Sequence, residues 1–276
     1  MGIIQPTPHS ISPRPADMLP RAVMVAGPGA HEVDVGGSGL PATPIDALMD
    51  KASVALVKAD YFTTEELCLR AIERCRRMRD WERVARAVLP LQEARRQIRQ
   101  FATDGPVRMV QKLPSRGEPL EVGCYLAQPP MIGLDARTFR ELARGRRVPV
   151  MAIAKEPTTA AGKWPVVGVG GNLGAQPVPV VVRVQVEPPT GGVPDVAWML
   201  ATQEALGDAA IAKVEAGRKL GWPADHRVED LIEYLEAVPD HEKLHQALEA
   251  TAREAAGASA STKPRRRGML DDPRSF

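Results

Sequence analysis

The sequence predicts an α+β or α/β protein: a small five-stranded mixed sheet with one crossover helix, flanked by N-terminal and C-terminal helical hairpins. Three observations carry this. The 26 prolines among 276 residues are unevenly placed, with eight in residues 1–44, one in 45–101, thirteen in 105–194, two in 195–256 and two in the last 20. Proline interrupts helix interiors, so its scarcity marks two helical blocks and its excess marks the strand-and-turn block between them. The hydrophobic period is helical in both proline-poor blocks and changes to short alternating or continuous apolar runs from residue 106. Finally, no apolar run reaches the roughly 20 residues of a membrane helix, and three cysteines cannot build a secreted disulfide scaffold.

Residues 1–43 mix Pro, Gly and Ser with scattered small apolar residues; they cannot bury enough surface to offset ordering entropy and are expected to be disordered. The helical block 44–103 opens at Thr43-Pro44, a cap followed by proline at the first helical position, with Ile45, Leu48, Ala52, Ala55 and Leu56 at helical spacing. Asp60-Tyr61-Phe62 makes the turn. Thr63 with Glu66 then reads as a capping box before the stripe Leu67, Cys68, Ala71, Ile72, Cys75 and Met78. Asp80 caps a third helix, which Pro90 is expected to kink or divide.

In the block 105–190, Val107–Leu113 and Leu120–Leu126 read as strands around the turn Pro114-Ser115-Arg116-Gly117. Asp135 caps a helix to about Gly145, and Val148–Ala154 is a nearly continuous apolar run; strand, helix and buried strand in that order imply a right-handed βαβ crossover. Trp164–Val169 and Val178–Val186 add two strands, the second alternating as a half-exposed edge does. One helix cannot cover both sheet faces, so the helical blocks are expected to pack on the sheet. In the block 195–256, Asp195 starts helices running to Gly221-Trp222-Pro223 with a break expected at Gly207-Asp208. A stripe from Val228 to Val238 follows, Pro239 stops it, and Asp240 is expected to cap the last helix. Residues 257–276 form a basic tail expected to be disordered.

The string Ala59-Asp60-Tyr61, Glu66, Ala71-Ile72 and Arg79-Asp80-Trp81 resembles a tetratricopeptide-type helical hairpin over about residues 45–90. The small residue usual early in the second helix is Thr64 here, the closing proline near Arg76 is absent, and no second copy follows. The resemblance implies a helical interaction module rather than a peptide-binding superhelix. The chain is also similar to bacterial proteins that join such helices to an α/β segment, which implies no activity. Its 27 Arg against 9 Lys suit a GC-rich bacterial genome.

Net charge is only +2, but residues 70–100 carry +6 and residues 191–256 carry −7, so the helical blocks are electrostatic complements. The arginines of the first block read as solvated faces or partners of the acidic helices; nucleic-acid binding is the less favoured reading because few aromatics interleave with them. Arg76, Arg77, Arg79 and Arg83 are the candidates for an interaction surface.

His241-Glu242-Lys243-Leu244-His245 has HExxH spacing, which can place two imidazoles on one helix face around zinc. It lies in the first turn after Pro239, and no histidine follows to complete the ligand set. It is therefore read as a capped helix start, with no metal and no cofactor expected. Gly168-Val169-Gly170-Gly171-Asn172-Leu173-Gly174 is followed by Pro177 and Pro179 instead of a helix, so it reads as a turn and not a dinucleotide loop. Cys68, Cys75 and Cys124 read as packed thiols.

In open α/β sheets, ligands favour the carboxyl ends of parallel strands, here the loops 127–134 and 155–163. Gln128, Lys155, Glu156 and Thr158 are the ligand-binding candidates of that reading. Met18–Ala26 is interrupted by Pro20 and Arg21, so no signal peptide is read and a cytoplasmic location is expected. The sequence favours a non-catalytic protein-interaction or adaptor module with a protein partner and no membrane. The alternative is a small-ligand-binding protein or enzyme using those loops, with zinc hydrolysis at His241 and His245 as its weaker variant.

Overall fold

The computed structural model describes residues 43–115, 117–171 and 179–262. Apart from Thr43 and residues 257–262, the tails expected to be disordered lie outside this range, as do Asn172, Leu173 and Gly174 of the glycine-rich string. The described residues all belong to one compact unit.

Helix α1 (Pro44–Val57) begins as expected: Asp46 N–H donates to the Thr43 hydroxyl, and the Asp46 carboxylate accepts the Thr43 N–H, each at 3.2 Å. The links to α2 (Tyr61–Met78) and α3 (Trp81–Thr103) are two copies of one turn. Ala59 and Arg79 take left-handed φ of 56° and 54°. The following Asp60 and Asp80 donate their N–H to Ala55 O and Cys75 O, both at 2.9 Å, which closes a Schellman motif on the preceding helix. Their carboxylates then accept N–H from Thr63 and Arg83, opening the next helix. The start of α2 is thus corrected from Thr63 to Asp60, the stronger cap in a turn that leaves Tyr61 and Phe62 helical. Thr63 instead accepts from Arg147 at 2.8 Å, and Glu66 lies 3.7 Å from Arg70.

Pro90 does not divide α3, which is a single helix. The carbonyl deprived of a donor belongs to Arg86, an exposed residue where water can replace the lost bond.

The sheet runs β1 (Val107–Val110), β2 (Gly123–Ala127), β3 (Val150–Lys155), β4 (Trp164–Val169) and β5 (Val181–Val186), in that spatial order. The first three strands are parallel, and the last two antiparallel, so the sheet is mixed. Expected strands 107–113 and 120–126 are shorter than read and do not form a hairpin. Val107 is in register with Cys124 in a parallel pair, and residues 111–122 carry the chain back along the sheet. Crossover helix α4 (Gly133–Gly145) joins β2 to β3. Its capping position is Ile132, not Asp135; Asp135 sits in the first turn and accepts the Ile132 N–H at 2.8 Å.

Alternation divides the strands between two faces. Cys124, Leu126, Met151, Ile153, Trp164, Val166 and Val182 join the core shared with the N-terminal and C-terminal helices. Tyr125, Ala127, Ala152, Ala154, Val167 and Val169 face the other side, where α4 supplies Ala136 and Phe139. The helical blocks therefore do pack on the sheet. Gly168 lies within β4, and a Cβ there would come within 2.8 Å of Ala237 O, so it is glycine because the helix ending at Ala237 crosses close above.

The C-terminal block contains α5 (Val196–Lys219), α6 (Ala224–Ala237) and α7 (Glu242–Ala256). Asp195 caps α5, as read, by accepting Trp198 N–H. No break occurs at Gly207-Asp208. Gly207 is there for packing: a Cβ would sit 2.1 Å from the His241 ring. The cap of α7 is corrected from Asp240 to His241, whose Nδ1 accepts Leu244 N–H at 3.1 Å. Helix α7 packs directly on α3 and α6, joining the two helical blocks beside the sheet.

Candidate functional site

Among the described residues strand β1 is an edge, paired only with β2. Gln128 N–H donates to Val110 O and Cys124 N–H donates to Pro106 O, so even-numbered residues point their backbone groups at β2. The alternation leaves the N–H and C=O of Val107 and Met109 directed outward. Helix α4 packs on β2, β3 and β4, and β1's share of that face falls to the 111–122 connection.

Between them lies a groove of about 490 Å³. Tyr125 and Phe139 form its aromatic floor, with ring centroids 4.6 Å apart, and Leu113 and Leu120 line the side. The Arg108 guanidinium lies 5.5 Å over the Tyr125 ring, donates to Val122 O at 3.2 Å and pairs with Glu121. Tyr125 donates its hydroxyl to Glu121 O at 2.8 Å, and burial pushes its pKa up, so it remains a neutral phenol. Gln111 and Lys112 are exposed at the rim. A volume in this range, an apolar floor and a few fixed polar groups are what binding sites share.

The ligand-binding candidates are not brought together. Gln128 lines the groove. Lys155 places its ammonium 4.5 Å over the Trp164 ring, and Glu156 accepts two 2.7 Å hydrogen bonds from Arg183. Thr158 is exposed in the β3–β4 loop. Among the groove residues that the sequence reading missed, Tyr125, Phe139 and Lys112 are spread over two elements and a loop. Two belong to a scarce set of 11 aromatic residues, but nothing local to either predicts their contact.

Among the interaction-surface candidates, Arg76 is 13 % exposed and ties α2 to α6 through Glu229 at 3.0 Å, while also holding Glu73 at 2.9 Å. Arg83 bridges Asp46 and Asp80. Arg77 and Arg79 are 73 % and 58 % exposed, with partners Glu73 and Asp225. The four thus divide into two internal ties and two surface groups.

Deeper in, Glu65 accepts from Arg95 at 2.8 Å and from Arg144 at 2.9 and 3.0 Å. Burial pushes the Glu65 carboxyl up, but the two guanidiniums outweigh it and hold the pKa below its ordinary value. Arg140 donates to Ala152 O, Val169 O and Glu236 O, linking α4 to β3, β4 and α6; burial lowers its pKa to about 10. Asp240 accepts from Gln203 at 2.8 Å, and burial raises its carboxyl despite that bond. The cavity among Glu65, Arg95, Arg140, Arg144 and Asp240 is about 30 Å³, far below the size of an organic ligand site. These charges join the helical blocks to the crossover helix.

The HExxH residues separate. His245 Nδ1 lies 2.9 Å from His241 O and so carries the ring proton, while burial, with Arg95 nearby, lowers its pKa to about 3. Glu242 pairs with Arg99. His241 Nε2 faces Glu204 at 3.2 Å and Asp208 at 3.5 Å, a cluster with metal-like spacing. The donor set does not fit a metal. Because Nδ1 accepts the Leu244 N–H, the ring proton sits on Nε2, whereas metal-binding histidines donate their other nitrogen. The cation is already supplied: Lys243 Nζ lies 3.3 Å from Glu204 and 3.2 Å from Asp208. Burial lowers the His241 pKa, opposed by the two carboxylates.

Compared with family models, curated proteins and solved structures, the chain matches none. Among the described residues, no helix is long and apolar enough to cross a membrane.

Proposed function

We propose that this chain is a non-catalytic interaction module that receives an extended segment of a partner protein along β1. One observation carries the reading: β1 is an open edge with outward backbone groups, beside an aromatic-floored groove that α4 does not cover. An added strand would pair with Met109 and place alternate side chains in the groove, the usual division between backbone affinity and pocket specificity. The repeated Asp-aromatic turns of α1–α3 support the same class through their tetratricopeptide-like character. The small-ligand alternative rests on Gln128 and on the groove's volume.

The test is affinity capture from native extract with wild type and Gln111→Pro. Gln111 is exposed just past β1 with its N–H on the outer side, so proline removes a donor from the edge and leaves the β1–β2 ladder intact. Partners lost by Gln111→Pro and kept by the double variant Arg77→Glu/Arg79→Glu support the edge. The reverse pattern would move the surface to the helical block and overturn the reading.

A further inference from the structure

A second cavity, of about 120 Å³, lies where α2 and α3 meet α6 and α7. Ile72, Leu91, Ile232 and Leu248 are buried around it, and half-buried Leu69 also lines it. The two acids on its wall are turned to arginines: Glu73 accepts from Arg76 and Arg77 at 2.9 Å, and Glu236 lies 3.9 Å from Arg95. The rest of the lining is therefore aliphatic, and the charge on its wall is compensated. A charged or strongly hydrogen-bonding guest would lose its hydration without recovering it, whereas a compact apolar one would gain contacts on every side. Aliphatic cavities of about this size stay dry and admit benzene or xenon.

We propose that this cavity is a binding site for a small neutral apolar molecule of about benzene size. A guest there touches both helical blocks at once, so it favours their docked arrangement and raises the unfolding temperature, the stabilisation growing as the logarithm of its concentration once that exceeds Kd. The site is separate from the β1 groove and does not depend on it.

Crystals of the full chain under xenon pressure are expected to show a xenon atom within the ring of Ile72, Leu91, Ile232 and Leu248. In solution, benzene is expected to raise the melting temperature, with a rise that becomes logarithmic in benzene concentration above Kd. Leu69→Phe, which takes up cavity volume from a half-buried lining position, is expected to weaken benzene at least tenfold while circular dichroism stays native. Absence of xenon from the wild-type cavity overturns the proposal, as does an unchanged benzene response in folded Leu69→Phe. If that variant fails to fold, the wild-type xenon experiment decides alone.

Discussion

His245 makes the stability of this protein depend on pH in a way that can be calculated. Its folded pKa is lowered to about 3 by burial beside Arg95, and an unfolded histidine titrates near 6.5. The sign follows from proton counting. Below pH 6.5 the unfolded chain takes up a proton that the folded chain refuses, so stability is full above 6.5 and falls as pH drops toward 3. At pH 5 the unfolded imidazole is about 1.5 units below its pKa, and at about 1.36 kcal/mol per unit the loss is about 2 kcal/mol relative to pH 7.5. Other groups add their own pH dependence, including His241, whose pKa burial lowers, and Asp240, whose carboxyl burial raises. A difference measurement isolates His245. His245→Asn keeps a donor at the δ position for His241 O and does not titrate. Urea unfolding at pH 7.5, 6.5 and 5.0 should show wild type losing about 2 kcal/mol more than the variant by pH 5. Parallel stability profiles would refute the assignment of a neutral buried imidazole.

Three other substitutions test the architecture. Ala59→Gly should stabilise by about 1 kcal/mol in thermal unfolding, because an exposed alanine now holds the left-handed position that glycine adopts freely. Glu65→Gln should destabilise by about 3–5 kcal/mol in denaturant titration, since it leaves Arg95 and Arg144 without their shared carboxylate. Gly207→Ala should cost about 1–3 kcal/mol, read as a lowered melting temperature, because the new methyl meets the ring that caps α7.

Much of the architecture was legible because its signals are local. Thr43-Pro44, Asp80 and Asp195 mark true helix starts, and the apolar runs at Ile153 and Val166 mark true strands. The errors arose where two local signals competed or where the deciding contact was distant. Asp60 and Thr63 both offer a cap, and only the Schellman closure from Ala55 selects the first. Gly207 reads as a helix breaker until the His241 ring, 34 residues later, fills the space beside it. A turn between two strands does not reveal whether they pair as a hairpin, and β1 and β2 are parallel. The groove was invisible for the same reason: it exists because α4 stops short of β1, a fact of placement and not of pattern.

The twin turns at Asp60 and Asp80 leave the helical block with almost no slack. Each aspartate ends one helix and begins the next, so no loop stands between them to absorb a change in length. A residue inserted in α2 would rotate everything after it by about 100° about the helix axis. Trp81, 5 % exposed and the first residue of α3, would swing away from the core, taking with it the side of α3 that grips α7. Evolution can vary the side chains of these helices freely on their outer faces, but their lengths are coupled. An insertion in α2 should be tolerated only where a compensating deletion restores the same angular phase.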